Sequence, residues 1–276
     1  FSRGDMHLYC DSAHYYDQIN SIDAFGNVRM ERADNLSGRA DQLHYDGRKE
    51  VMNLIGNVSI TKDNRTLTSQ AIDYYVPSNT GKYTSNGRLE DPKNVLTSIV
   101  GEYNFNTDNA VFTNNVDLVN SRDNYVIHTN KLLYNTRTNI AKLVEEAEIT
   151  SDENKIITSN GDYNTATEKA NLYVKNGVQP KLFAKDDRTL EGDSIHYDRH
   201  TGEGTAIGNV TVNDPKHHAI LTGGYGYHNE TTHVSYATDK ALARIYNKEN
   251  AKTGERSDTL FFHGDTITTI QEPDKN

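Results

Sequence analysis

A tyrosine that returns about every 30 residues constrains this chain more than any other feature. The markers are Tyr15, Tyr45, Tyr74, Tyr103, Tyr134, Tyr163, Tyr197 and Tyr227, at steps of 30, 29, 29, 31, 29, 34 and 30 residues. An apolar residue six to nine positions earlier accompanies most of them: Leu36, Leu67, Leu96, Ile127, Ile157, Leu190 and Leu221. Leu260 opens one more half-unit, in which Gly264-Asp265-Thr266-Ile267 matches Gly192-Asp193-Ser194-Ile195. The fullest copy runs from Leu190 to Val212 and reads as strand, Gly-bearing turn, strand. A fixed period of this length marks a repeat architecture, in which no unit buries its own apolar face and neighbours must stack.

The second half of each unit alternates with the two-residue period of a strand buried on one face. Ile22, Ala24, Gly26, Val28 and Met30 share one parity, as do Met52, Leu54, Gly56, Val58 and Ile60. The register continues through Gly81, Tyr83, Ser85, Gly87 and Leu89, then Ala110, Phe112, Asn114, Val116 and Leu118. Later copies are Ala170, Leu172, Val174, Asn176 and Val178, and Gly204, Ala206, Gly208, Val210 and Val212. Two copies are degenerate on the same count: Ala141, Leu143, Glu145, Ala147 and Ile149, and Val234, Tyr236, Thr238, Lys240 and Leu242. Leu190 and Ile195 differ in parity, so a kink is expected near Gly192 and its equivalents. Helical spacing is poor throughout and hairpin residues such as Asp46-Gly47 and Thr201-Gly202 are frequent. The expected fold is all-β, solenoid-like, with about eight to nine strand-turn-strand repeats. One continuous domain over 1–276 is expected, with a loop insertion at 247–258 and a frayed tail at 272–276.

Composition narrows function by exclusion. A formal charge of -10 without a basic stripe argues against nucleic acid as a partner. The single cysteine, Cys10, leaves no internal disulfide framework and no Cys-rich zinc spacing. No stretch reaches the roughly 20 apolar residues of a membrane-spanning helix. The opening Phe1-Ser2-Arg3 reads as a trimmed precursor. Neighbouring histidines, His217-His218 beside Asp214 or His196 with His200, point to opposite strand faces or lack companion ligands, so no metal site and no cofactor are expected. The acidic pairs Asp186-Asp187 and Glu145-Glu146 are what wet faces carry, and no enzyme activity is expected. A polysaccharide-active enzyme would require clustered carboxylates and exposed aromatics along one wet face.

The paired half-motifs resemble a known family. Asp41, Leu43, Tyr45 and Asp46 with Gly56-Asn57-Val58, and Asp193, Ile195, Tyr197 and Asp198 with Gly208-Asn209-Val210, are similar to the OstA-like family; Gly26-Asn27-Val28 adds a third half-motif. That family includes periplasmic lipopolysaccharide-transport proteins of the LptA type and the N-terminal domain of the LptD type. The resemblance implies an elongated, twisted, V-shaped β-jellyroll in the periplasm, exported with its signal peptide removed. Its apolar seam would hold lipid A acyl chains of lipopolysaccharide on the way to the outer membrane, and its ends would meet another copy or other jellyroll transport proteins. The seam residues so implied are Val28, Met30, Leu54, Val58, Ile60, Tyr83, Leu89, Phe112, Val116 and Leu118. Terminal strand edges near Met6 to Tyr16 and Leu260 to Ile270 would invite capping or strand addition. The alternative is a structural or adhesive β-solenoid interaction protein with a sealed core.

Overall fold

The computed structural model describes residues 2–3, 5–120, 122–152, 154–184, 187–249 and 256–270. Apart from one 3-10 turn at Asp17–Ile19, every regular element is a β-strand, and the pairings are antiparallel. The chain divides into two compact units, Phe1–Asn139 and Ile140–Asn276. Residues 250–255, within the expected loop insertion, lie outside the described residues, as do the tail 271–276 and Asp186. The ladder nevertheless reaches into that insertion from both sides, because Lys248 pairs with Ser257 and Glu249 with Arg256. The loop is therefore shorter than 247–258.

In the first unit, long strands Ser21–Arg32, Leu36–Asp46, Val51–Lys62 and Arg65–Tyr75 pair in sequence order. The next strands are broken at their middles, so Arg65–Tyr75 pairs with both Thr80–Tyr83 and Gly87–Glu90. Asn109–Asn120 and Tyr125–Asn135 complete the unit as long strands. The second unit mixes short strands with the long Glu203–Asp214, Ala219–Asn229, Val234–Glu249 and Arg256–Ile270.

The tyrosine period has a packing cause. One interior cross-strand row runs Tyr45, Met52, Tyr74, Gly81, Tyr103, Ala110, Tyr134. The second unit has its own row, Ala141, Tyr163, Ala170, Tyr197, Gly204. From Gly81 onward a large ring alternates with glycine or alanine, so neighbouring rings interdigitate and fill the space between strands. The residue after the tyrosine opens the turn: Asp46, Asn104, Asn135 and Asn164 each accept backbone N–H bonds two and three residues on. Five positions after the tyrosine the backbone turns left-handed, at Asn20, Glu50, Asn79, Asp108, Asn139, Glu168 and Gly202.

The Gly-Asn pairs are β-bulges with two successive left-handed residues: Gly26-Asn27, Gly56-Asn57 and Gly208-Asn209. Each asparagine amide donates to the aspartate of its own motif, Asn27 to Asp11 at 2.8 Å, Asn57 to Asp41 at 2.9 Å and Asn209 to Asp193 at 2.8 Å. The partner strand changes parity opposite the extra residue, which is how Ala40 and Leu43 are both buried. The expected kink is present at Gly192: the strands Thr189–Glu191 and Ser194–Asp198 stop on either side of it, and both Leu190 and Ile195 are buried. Gly56→Ala should cost roughly 1–3 kcal/mol in denaturant unfolding, since φ is 77° there and a methyl group would overlap the Asp41 carboxylate. An unchanged midpoint would refute that account of the bulge.

Three runs leave the regular parity, and at the two degenerate copies the strand breaks or switches face. Glu145 does not face the interior, because the strand breaks between Leu143 and Ala147 and Glu145 is exposed there. Val174 and Val178 are exposed, since the strand Lys169–Tyr173 ends before them and Asn176-Gly177 forms a turn closed by the Lys175–Val178 bridge. In Val234–Glu249 Ser235, Ala237, Ala241 and Ala243 are buried, on the parity opposite to Val234, Tyr236, Thr238, Lys240 and Leu242, and Tyr246 is buried farther along. The matching shift in Ala219–Asn229 puts His228 inside and Tyr227 outside: His228 pairs with Gly204, and the left-handed residue five positions on is His233.

Candidate functional site

The interior of the first unit is the candidate site. The ten residues Val28, Met30, Leu54, Val58, Ile60, Tyr83, Leu89, Phe112, Val116 and Leu118 are at or below 2% exposed. Several share a continuous row: Met30, Gly38, Ile60, Leu67, Leu89, Leu96, Leu118 and Ile127 are successive partners across strands. Leu54 sits between Leu43 and Ile72, and Phe112 between Gly101 and Leu132. The Tyr83 ring fills the space left by Gly87 and Gly101, and its hydroxyl meets Ser98 Oγ at 2.7 Å. These side chains pack against one another and none of them lines the apolar opening described below, although Val58 and Val28 border open surface hollows.

Buried polar groups close parts of the same interior. Tyr134 donates its hydroxyl to Asp91 Oδ2 at 2.8 Å and receives Asn94 Nδ2 at 2.9 Å, and Asn94 in turn accepts from Asn120 at 3.3 Å. Tyr103 donates to Asp108 at 3.1 Å, and Arg137 Nε reaches the other Asp108 oxygen at 2.7 Å. These clusters are not legible in the sequence, because Asp91 and Asn94 lie in a turn and Asn120 at a strand end, places that read as surface. Burial pushes the Tyr74 and Tyr83 hydroxyls up to about 12.

An opening remains where the strands Met6–Tyr9 and Ser21–Arg32 meet the turn at Glu50. Leu8, Ile22, Leu43, Tyr45, Met52 and Val76 line a cavity of about 170 Å³, with Arg32, Asp5 and Glu50 among its polar groups. It is open because the first marker, Tyr15, lies on a strand paired with Ser21–Arg32 but is 53% exposed, so its ring does not plug the row as the later ones do. Arg32 is held by Asp34 at 2.7 Å, and its Nη1 donates to the Tyr74 hydroxyl at 3.3 Å. The Asp34 hydrogen bond raises the guanidinium pKa, and Arg32 with Lys62 holds the Asp34 carboxyl far below the usual carboxylate range.

Residues 1–125, which hold the seam and this cavity, match the OstA-like protein family. Over that length, a little under half of the whole, the chain is similar to OstA-like proteins. None of the curated proteins matches it. Among solved structures, LptH of Pseudomonas aeruginosa, the LptA-homologous periplasmic component of the conserved lipopolysaccharide transport device, is 12% identical. The likeness has a TM-score of 0.22 and covers 48% of this chain and 76% of LptH. Hsv2 of Kluyvelomyces marxianus is 7% identical with a TM-score of 0.16, over 93% of this chain and 97% of that one. Scores this low bear on neither fold nor function. Among the described residues no group of three or more His, Cys, Asp or Glu is placed to hold a metal ion, and no helix is long and apolar enough to cross a membrane. His217 is paired with Asp214 at 2.9 Å, and His218 packs edge-on against Tyr246.

Proposed function

We propose that this chain is a non-enzymatic periplasmic component of lipopolysaccharide transport to the outer membrane. Its V-shaped β-jellyroll of eight to nine repeats holds acyl chains between its strands. The observation that carries the reading is the apolar cavity at Leu8, Ile22 and Met52, inside the stretch that matches the family. Its 170 Å³ is close to the roughly 150 Å³ of an apolar cavity that stays dry and admits benzene, so it takes the end of one acyl chain rather than a whole lipid. Each methylene that enters contributes about 0.8 kcal/mol. Further entry requires the ten packed side chains to part, and the seam is then the wall that yields. The exposed Leu260, Phe261 and Phe262 on the strand Arg256–Ile270 support end-to-end strand addition by a like domain.

Met52→Trp fills the cavity and should weaken binding of a fluorescent acyl probe roughly tenfold or more, with the melting temperature little changed. A well-folded wild-type sample without saturable binding of that probe or of lipopolysaccharide would overturn the reading. The near-complete burial of the ten seam residues favours a second reading, a structural interaction protein with a sealed core. Concentration-dependent association that lipid leaves unchanged would support it.

A further inference from the structure

In the second unit the repeat fails in a way that moves a marker ring outward. In the strand Ala219–Asn229 the interior position goes to His228, which bonds Ser235 Oγ through Nδ1 at 2.8 Å, and Tyr227 faces out beside Tyr236 of the next strand. The two rings stack with centroids 4.9 Å apart and planes 22° apart, and Tyr225 stacks on Tyr236 at 6.2 Å and 28°. We propose that this outward face of the second unit binds a neutral oligosaccharide.

Two cross-strand rows build the face. One continues from Tyr236 and Tyr227 through Thr205 and His196 to Asn171. The other runs from Tyr225 through Ile207 and Ser194 to Tyr173. Ile207 is 48% exposed and Tyr173 is 42% exposed, on a parity that elsewhere carries mostly polar residues. Tyr173 meets the His196 ring edge-on at 6.3 Å. The polar groups are fixed as well as present: His196 Nδ1 lies 2.9 Å from Asn171 Oδ1, Asn171 donates to Asp162 at 3.1 Å, and Tyr227 donates to Glu203 at 2.9 Å.

This combination selects a sugar over other partners. Backbone groups along both rows are used in strand pairing, so an added peptide strand finds no edge there. Ring surfaces and Ile207 offer apolar contact for the C–H faces of pyranose rings, while amide, hydroxyl and carboxylate groups at fixed positions meet sugar hydroxyls. Asp162 has Lys142 as its cross-strand partner and Glu203 has Lys169 nearby, so the face carries charges of both signs rather than the basic stripe an anionic chain would need. Cross-strand pairing accounts for Tyr227 on Tyr236, and the repeat accounts for Ile207, since Phe25 and Ile55 are exposed at the same place before their Gly-Asn pairs, but neither accounts for Tyr173 standing exposed in the neighbouring row. The inference does not rest on the interior of the first unit binding lipid.

Calorimetric titration of the whole chain with maltohexaose, cellohexaose and chitohexaose tests it, with an oligogalacturonate as the anionic comparison. At least one neutral sugar should bind saturably and more tightly than the oligogalacturonate. Tyr173→Ser and Tyr236→Thr should each weaken that binding roughly tenfold. Tyr236→Thr removes a stacked ring and can loosen the sheet, whereas Tyr173→Ser alters an exposed ring and should leave the melting temperature unchanged. Absence of saturable binding to all three neutral sugars, tighter binding of the anionic one, or wild-type affinity in a folded Tyr173→Ser protein would overturn the proposal.

Discussion

Phe112→Ala should lower the free energy of unfolding by about 3–5 kcal/mol, the range for truncating a fully buried aromatic ring. Phe112 is 0% exposed and stands between Gly101 and Leu132, neither of which can refill the space its ring leaves. Phe112→Asp should go further and leave the first unit unfolded, because an unpaired carboxylate would replace the ring in an apolar row. Urea unfolding followed by circular dichroism measures the first, and expression of folded protein the second. A cost below about 1 kcal/mol for the alanine variant would mean that the seam is not packed as described. The expectation also decides how lipid binding should be tested. Charging Leu54 or Phe112 removes the fold along with any site, so the informative variant is the one that fills the cavity at Met52.

Raising the pH should unfold the protein well before its backbone chemistry is at risk. Burial pushes Tyr74 and Tyr83 from the ordinary value of 10.0 up to about 12, partly opposed by Arg32 beside Tyr74 and by Ser98 beside Tyr83. Tyr103 moves the same way, again mainly through burial. A folded-state pKa above the unfolded one means that the native state binds the proton more tightly. The stabilisation is complete below pH 10 and is lost as pH rises toward 12, on the order of 2–3 kcal/mol for each of Tyr74 and Tyr83. Two such groups amount to a large share of a typical domain's net stability. Spectrophotometric titration should show a cooperative step of tyrosine ionisation coincident with loss of the β-sheet signal. Smooth ionisation of all tyrosines around pH 10 with the sheet intact would contradict the buried row.

The strands and the turns were legible because their causes are local, whereas the bulges at Gly26-Asn27, Gly56-Asn57 and Gly208-Asn209 were not expected from the regular alternation. The Asx after each tyrosine reports a capped turn, and alternation reports one buried face. What failed was parity near interruptions. Tyr227 keeps the step of the other markers and yet faces out, and Val234–Glu249 buries its alanines rather than Val234 and Tyr236. A bulge adds one residue to one strand, and the face of everything beyond it depends on which partner residues then pair. Nothing in the strand's own sequence records that choice.

The site divides in the same way. Sequence alone determined that the ten seam residues belong to a buried apolar face, since each has an apolar or aromatic side chain on a two-residue period within a fixed repeat. Tertiary structure alone decided that they pack against one another while an apolar opening lies at Leu8, Ile22 and Met52. That outcome depends on which rows have a ring to close them. Tyr74, Tyr103 and Tyr134 turn inward and fill theirs, whereas Tyr15 does not. Composition and period are properties of each residue and its near neighbours, but a cavity is the space that all of them together leave unfilled.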